Sequence, residues 1–264
     1  MEDAIAAARI IEPAAARNLL DYAGAFQRAG SELTPSAIRC AGGIAAFTGV
    51  ESPLTTVKGA GPEIVDEDID RAEAFFRHHA AERVVFELAP WVAAGVDALL
   101  TRRGYAITSI ETVMVREAPL TAQAARQCVR EMDRGLWVDL LLKAYELPDN
   151  PAWRRLASAA ADLPQAMNLG VFDASQLPQG GWVAAAQVVP TLGVAIFSND
   201  ATIPLVRRRG YQTALIRERL RHAATFDVTC AAAEVDPGSA SERNYLRCGF
   251  RPVYTRSHYS RSLH

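Results

Sequence analysis

Apolar positions recur at two periods along this chain, and the switches between them outline its elements. Residues 4–28, rich in Ala and Leu, read as a helix, and residues 42–50 and 54–59 read as two strands around Ser52-Pro53. Asp66 or Asp68 then opens a helix running through Ala72, Phe75, Phe76 and His79. A strand over 83–88, a helix over 90–103 and strands over 105–116 follow. The stretch 116–126, around Pro119, reads as a linker.

Beyond it the pattern predicts a strand over 126–131, a helix over 136–145, a break at Pro148-Asp149-Asn150-Pro151 and a helix over 151–163 with Trp153, Leu156 and Ala160 on one side. Residues 167–172, 182–189 and 192–199 alternate as antiparallel strands, joined by turns over 173–181 and at Pro190-Thr191. A further run ending at Ile203 leads into three arginines, and Leu215, Ile216, Leu220 and Ala223 then recur at helical spacing from about Gly210. A strand over 227–235, a short helix to Arg247 stopped by Gly249, and a last strand complete the chain. The order strand, Pro90, helix to Arg103, Gly104-Tyr105, strand is repeated as strand, Pro237, helix to Arg247, Gly249-Phe250, strand, which we read as an internal repeat. Two domains, 1–118 and 119–264, are therefore expected, with an α/β (α+β) fold.

Composition narrows the function classes. A length of 264 residues with half of them hydrophobic fits a two-domain soluble protein. The net charge of -2 and the lack of a basic stripe interleaved with aromatics argue against nucleic acid as a partner. Cys40, Cys128, Cys230 and Cys248 are scattered without a Cys-x-x-Cys pair, so neither a zinc site nor a disulfide framework is indicated. The histidines, His78, His79, His222, His258 and His264, show no metal spacing, and no metal is expected. The absence of a membrane-length apolar run or a basic signal at Met1-Glu2-Asp3 predicts a cytoplasmic protein without a membrane partner. Oligomeric state leaves no signal.

The candidate chemistry lies in Arg207-Arg208-Arg209-Gly210. A helix starting at Gly210 leaves its first N–H groups unpaired and its positive dipole end on the loop, which suits a phosphate. Three arginines are equally compatible with a solvated helix start. The first copy carries acids there instead, within Gly59-Ala60-Gly61 and 62–70, where a pyrophosphate would be repelled and the acids serve to cap the helix.

Arg207-x-x-Gly210-x-Gln212 resembles the phosphate loop of the GNAT superfamily of N-acetyltransferases, although Gln212 stands where Gly or Ala is usual. Tyr245, four residues before Gly249-Phe250, resembles the family's second signature, and the ordered pair with the repeat is similar to a tandem GNAT arrangement whose N-terminal copy is degenerate. The resemblance implies two GNAT-like mixed β-sheets flanked by helices, with the second copy as the acyl-CoA-binding catalytic domain.

It further implies acetyl-CoA as acyl donor, with pyrophosphate on the amides of Arg207, Arg208, Arg209, Gly210, Tyr211, Gln212 and Thr213 and pantetheine laid along Ala201, Thr202 and Ile203 as a pseudo-strand. Ser241 and Asn244 are expected to reach the cofactor from the next helix. A small-molecule amine would attack the thioester directly, with Tyr245 as the implied acid for the departing thiol. Asp200 and Glu234, near strand ends, are candidate bases, because an acceptor ammonium with a pKa near ~10 must first lose a proton. A non-catalytic acyl-CoA-binding sensor is the alternative on the same residues, and an interaction protein with both copies inactive is a third class.

Overall fold

The computed structural model describes residues 2–30, 36–124, 127–175 and 181–263. In chain order the elements are α1 (Glu2–Arg28), β1 (Ala37–Cys40), β2 (Gly43–Ala46), β3 (Thr56–Lys58), α2 (Asp66–His78), β4 (Arg83–Leu88), α3 (Pro90–Arg102) and β5 (Ala106–Glu117). They continue with β6 (Cys128–Glu131), α4 (Arg134–Ala144), α5 (Pro151–Ala161), β7 (Met167–Phe172), β8 (Trp182–Thr191), β9 (Val194–Thr202), a 3-10 turn (Pro204–Val206), α6 (Tyr211–Ala223), β10 (Cys230–Val235), α7 (Ala240–Arg247) and β11 (Arg251–Ser262). Arg126, where a strand was expected to begin, and part of the turn expected over 173–181 lie outside the described residues, as does His264.

Two compact units form, Met1–Val113 with Val253–His264, and Met114–Pro252. The division thus differs from a linear cut at 118. The chain passes into the second unit within β5, and it returns to the first within β11.

In the first unit the strand order is β1-β2-β3-β4-β11-β5. β1, unexpected from its four mixed residues, is joined to β2 by a tight turn in which Ala41 (φ 52) and Gly42 (φ 78) are both left-handed, as such hairpins require. β3 runs parallel to β4, pairing Val57 with Phe86, and β4 runs antiparallel to β11 from Ser257–Leu88 to Ser262–Arg83. α2 buries Ile69, Ala72 and Phe76, and α3 buries Val92, Val96 and Leu100, each set at helical spacing; of the residues expected along the first helix, Phe75 and His79 are half-buried. Asp66, Glu67 and Asp68 fill the first turn of α2, and the Asp68 carboxylate accepts from the N–H groups of Val65 and Ala41, both at 3.3 Å. Asp68 thus bonds back to the N-cap amide, and the other two acids place negative charge in the first turn.

In the second unit the order is β5-β10-β9-β8-β7-β6, with β6 to β9 antiparallel and β9 parallel to β10. Its core gathers Met114, Val188, Phe197, Ile216, Leu220, Ala231, Tyr245 and Phe250. Leu120, in the expected linker, is buried there too.

Candidate functional site

Capping separates one helix start from the others in the second unit. At α4 the Asp133 carboxylate accepts from the N–H groups of Gly135 (2.8 Å) and Leu136 (3.3 Å). At α5 the Asn150 side chain accepts from Trp153 N–H (3.0 Å), and at α7 the Ser239 hydroxyl accepts from Glu242 N–H (3.0 Å). The N-cap of α6 is Gly210, left-handed at φ 79, with no side chain to offer. Ala214 is the first amide to close a helical bond, onto the Gly210 carbonyl (3.0 Å), so the amides of Tyr211, Gln212 and Thr213 point into the preceding loop. Arg208 is also left-handed (φ 66), and such turns of mixed hand line up successive N–H groups as an anion cradle.

The arginines divide in role. Arg207 fastens the loop, its Nε donating to the Thr202 carbonyl (3.1 Å) and its Nη2 to the Ala144 carbonyl at the end of α4 (3.3 Å). Arg208 and Arg209 are exposed at the rim. Gln212 turns away from the loop: its amide nitrogen donates to the Ser241 hydroxyl (2.8 Å), and its oxygen accepts from the Asn244 amide (2.7 Å). The departure from Gly or Ala at this position is therefore a tie between α6 and α7. Ser241 and Asn244, expected at the cofactor, are joined by their side chains to Gln212. Tyr211 is buried, with its phenol donating to the Asp173 carboxylate (2.7 Å).

The strands beside this helix start diverge. β10 pairs with β9 from Cys230–Val194 to Ala233–Phe197, while both strands run on, β9 to Thr202 and β10 to Val235. The cause is local: the β8–β9 register shifts between Ala185 and Gln187, where Asn199 takes a left-handed φ of 57, the signature of a bulge. Ala201 and Thr202 stay paired to β8, and Ile203 N–H donates to the Val183 carbonyl (3.0 Å).

Below the bulge lies a constellation that the sequence reading had only in part. Tyr245, 1% exposed, donates to the Asp200 carboxylate (2.6 Å), and its ring meets Phe250 edge-on at 4.9 Å. Arg219, fully buried, ion-pairs with Asp200, donates to the Tyr245 oxygen (3.2 Å) and to the carbonyls of Gln187 (3.2 Å) and Ser198 (3.4 Å), and stacks on Phe197 at 4.5 Å. Burial pushes the Tyr245 phenol well above its ordinary value, Arg219 opposes this and Asp200 adds to it, so the phenol keeps its proton at neutral pH. Tyr145, just past α4, donates to the Asp200 carbonyl (3.3 Å). Glu234 is exposed, one residue before the end of β10. Arg219 was legible as a charge on the apolar stripe of Leu215, Ile216, Leu220 and Ala223, whereas Tyr145 carried no signal.

The first unit fills its equivalent position with charge. Aligning β4 on β10 sets Glu87 on Glu234. Glu87 ion-pairs with Lys58 of β3 (2.9 Å), both nearly buried, and faces His258 of β11 in register. Glu111 of β5 accepts from Arg256 (3.1 Å) and lies 3.6 Å from His258 Nε2. Ligand atoms of Glu87, Glu111 and His258 come within 4.8 Å of one another, but Lys58 and Arg256 already neutralise both carboxylates. Burial raises the Glu111 carboxyl, and Lys58, His258 and Arg256 outweigh that to hold it well below the carboxylate range. Burial lowers His258, and Glu111 and Glu87 raise it to a net upward shift.

No protein-family model matches the chain, and no curated protein matches it significantly. Solved structures do. A GCN5-related N-acetyltransferase from Kribbella flavida superposes with a TM-score of 0.65 at 16% identity, over 93% of this chain and 95% of that one. A tandem GNAT protein from the clavulanic acid biosynthesis pathway, solved without AcCoA, gives 0.56 at 14% identity, over 94% and 95%. A GCN5-related N-acetyltransferase from Sphaerobacter thermophilus gives 0.58 at 16% identity over 74% of this chain, which spans 66% of that structure. With the paired signatures and the two units already described, these likenesses identify the fold as that of the GNAT N-acetyltransferases in tandem arrangement.

Proposed function

We propose that the second unit is an N-acetyltransferase site that takes acetyl-CoA as donor and a small primary amine as acceptor. The observation that carries this is the uncapped start of α6, where the other three α-helices among the described residues of the unit carry side-chain caps, set under Arg208 and Arg209 beside strands that diverge. The residues fit the donor: amides at the uncapped helix start and exposed guanidinium groups at its rim for a pyrophosphate, and a strand edge beyond Phe197 for an amide-bearing arm. When bound, the donor supplies the activated acyl group.

The chain supplies position and proton handling. Arg207 fixes the loop to the end of β9, so amide cradle and strand edge hold one geometry. Tyr245 holds a proton for the departing thiol, and Asp200 and Arg219 orient its hydroxyl. Both Asp200 carboxylate oxygens are engaged, one by Arg219 and one by the Tyr245 hydroxyl, so we assign Asp200 to orienting Tyr245 and not to the acceptor's proton. Glu234, exposed on the diverging end of β10, is the carboxylate we assign to the acceptor's proton.

Calorimetric titration with acetyl-CoA and CoA, in wild type and Gly210→Glu, tests the reading. We expect one site per chain, weakened at least ~10-fold in the variant, where a carboxylate meets the anion cradle. A positive titration is followed by thiol release over an amine panel. Absence of binding at millimolar CoA would remove the reading.

A further inference from the structure

A second basic recess lies in the same unit, away from the start of α6. It has a volume of about 710 Å³ and is lined by Arg116, Arg217 and Arg247, with Thr121, Gln123 and Gly249. Among the described residues no carboxylate lines it. Arg217 stands six residues beyond Tyr211, about 9 Å along the axis of α6 at the helical rise.

The partners of these arginines set them apart. Arg116 donates from Nη1 to the Cys248 carbonyl (2.5 Å) and from Nη2 to the Thr121 carbonyl. Arg247 donates to the Asn244 side-chain oxygen (2.9 Å), and Arg217 lines the recess together with Cys248. Every one of those acceptors is neutral. Elsewhere in the unit Arg134 pairs with Asp162, Arg154 with Asp149 and Asp139, Arg221 with Glu218, and Arg251 with Glu117. Carboxylates thus meet those four surface arginines, and Arg243 donates to the Gly238 carbonyl, while three guanidinium groups converge on one recess without a counter-charge among the described residues. Mutual repulsion makes that arrangement costly unless an anion offsets it. The same environment acts on Cys248: burial pushes its thiol up, and Arg217 and Arg116 pull it back.

We propose that this recess is a binding site for a phosphorylated small molecule carrying at least two negative charges, separate from the cradle at the start of α6. Planar guanidinium groups suit phosphate oxygens through paired N–H donors, and Thr121 and Gln123 add neutral polar groups at the rim. The inference goes beyond the acyltransferase reading and does not depend on it.

Inorganic pyrophosphate is the probe, titrated calorimetrically into the full chain at near-physiological salt, with and without saturating CoA. Arg217→Ser, Arg247→Ser and the double variant are compared, leaving Arg116 intact because it also fastens Thr121 and Cys248. Expected is one pyrophosphate site that persists under CoA and in Gly210→Glu, weakens about tenfold in each single variant and disappears in the double variant, as for loss of one charged contact at a time. Far-UV circular dichroism and melting temperature, close to wild type in all variants, exclude misfolding as the cause. Unchanged affinity in the double variant, loss of the site under CoA, or no binding at millimolar pyrophosphate would each overturn the proposal. Without CoA binding, the arginine dependence still reads this site, so the two hypotheses fail separately.

Discussion

Arg219 is a guanidinium with no exposure to water, placed on the face of α6 that the hydrophobic period assigns to the core. Its charge is met by Asp200, and its remaining donors by Tyr245 and two carbonyls at the bulge. Two substitutions separate its work from that of Tyr245. Tyr245→Phe keeps the ring against Phe250 and removes the proton, so turnover should fall about 100-fold with little change in KM, within the range for a lost general acid. Arg219→Met leaves the Asp200 carboxylate uncompensated and should cost about 3–5 kcal/mol of stability. Steady-state thiol release and thermal melting read the two; full turnover by Tyr245→Phe would take the phenol out of the reaction. Tyr245 was legible because its interval to Gly249-Phe250 resembles the family's second signature. The fate of Gln212 was not, since whether a glutamine faces a loop or a neighbouring helix depends on Ser241 and Asn244, 29 and 32 residues away.

At the scale of elements, the two copies use one motif for opposite ends. β9 and β10 diverge over a bulge, whereas the equivalent β3 and β4 are bridged by Lys58 and Glu87, and the charge row continues through His258 to Glu111. The acids that open α2 announced the loss of the anion site, because the carboxylates of Asp66, Glu67 and Asp68 in its first turn repel a phosphate. The charge row was hidden, as its members come from four strands. It makes a pH prediction for the first unit. The folded His258 pKa is raised above its ordinary value of about 6.5, so its contribution is fully present below that value and is lost as pH rises through the folded pKa. The folded Glu111 pKa is depressed, so its contribution is present above about 4.3 and lost as pH falls through the folded pKa. The groups facing His258 are Glu87, Glu111, Lys58 and Arg256. Thermal melts of wild type and His258→Gln from about pH 6 to about pH 9 should show the wild-type advantage shrinking as pH rises. A constant difference would mean that His258 does not titrate against this row.

For the whole chain, the repeat was readable in sequence but the bookkeeping of its last strand was not. Helix, glycine, strand appears twice, and a linear reading gives each copy the strand that follows its own helix. In the structure β4 neighbours β11 and β10 neighbours β5, so each copy's sheet takes the strand that follows the other copy's helix. Sequence periodicity carries no record of strand partners, since β5 and β11 are both twelve-residue strands that either sheet could pair. The first unit therefore depends on the far end of the chain. Six register pairs, from Ser257–Leu88 to Ser262–Arg83, and the buried Tyr254, Arg256 and Tyr259 are all contributed by β11. A chain ending at Pro252 would leave β4 with β3, where Val57–Phe86 is the register pair, and remove the strand that stands between β4 and β5. Hydrogen-exchange protection of the Val84–Leu88 amides should then fall by more than tenfold, the mark of a local loss of stability above about 1.4 kcal/mol, while amides of α6 from Ala214 onward keep theirs. If CoA binds the intact chain, the truncated one should retain it, because every residue of the proposed donor site lies within Met114–Pro252. Unchanged protection of β4 would place the first unit's stability in residues 1–113 alone and restore the linear division that the sequence suggested.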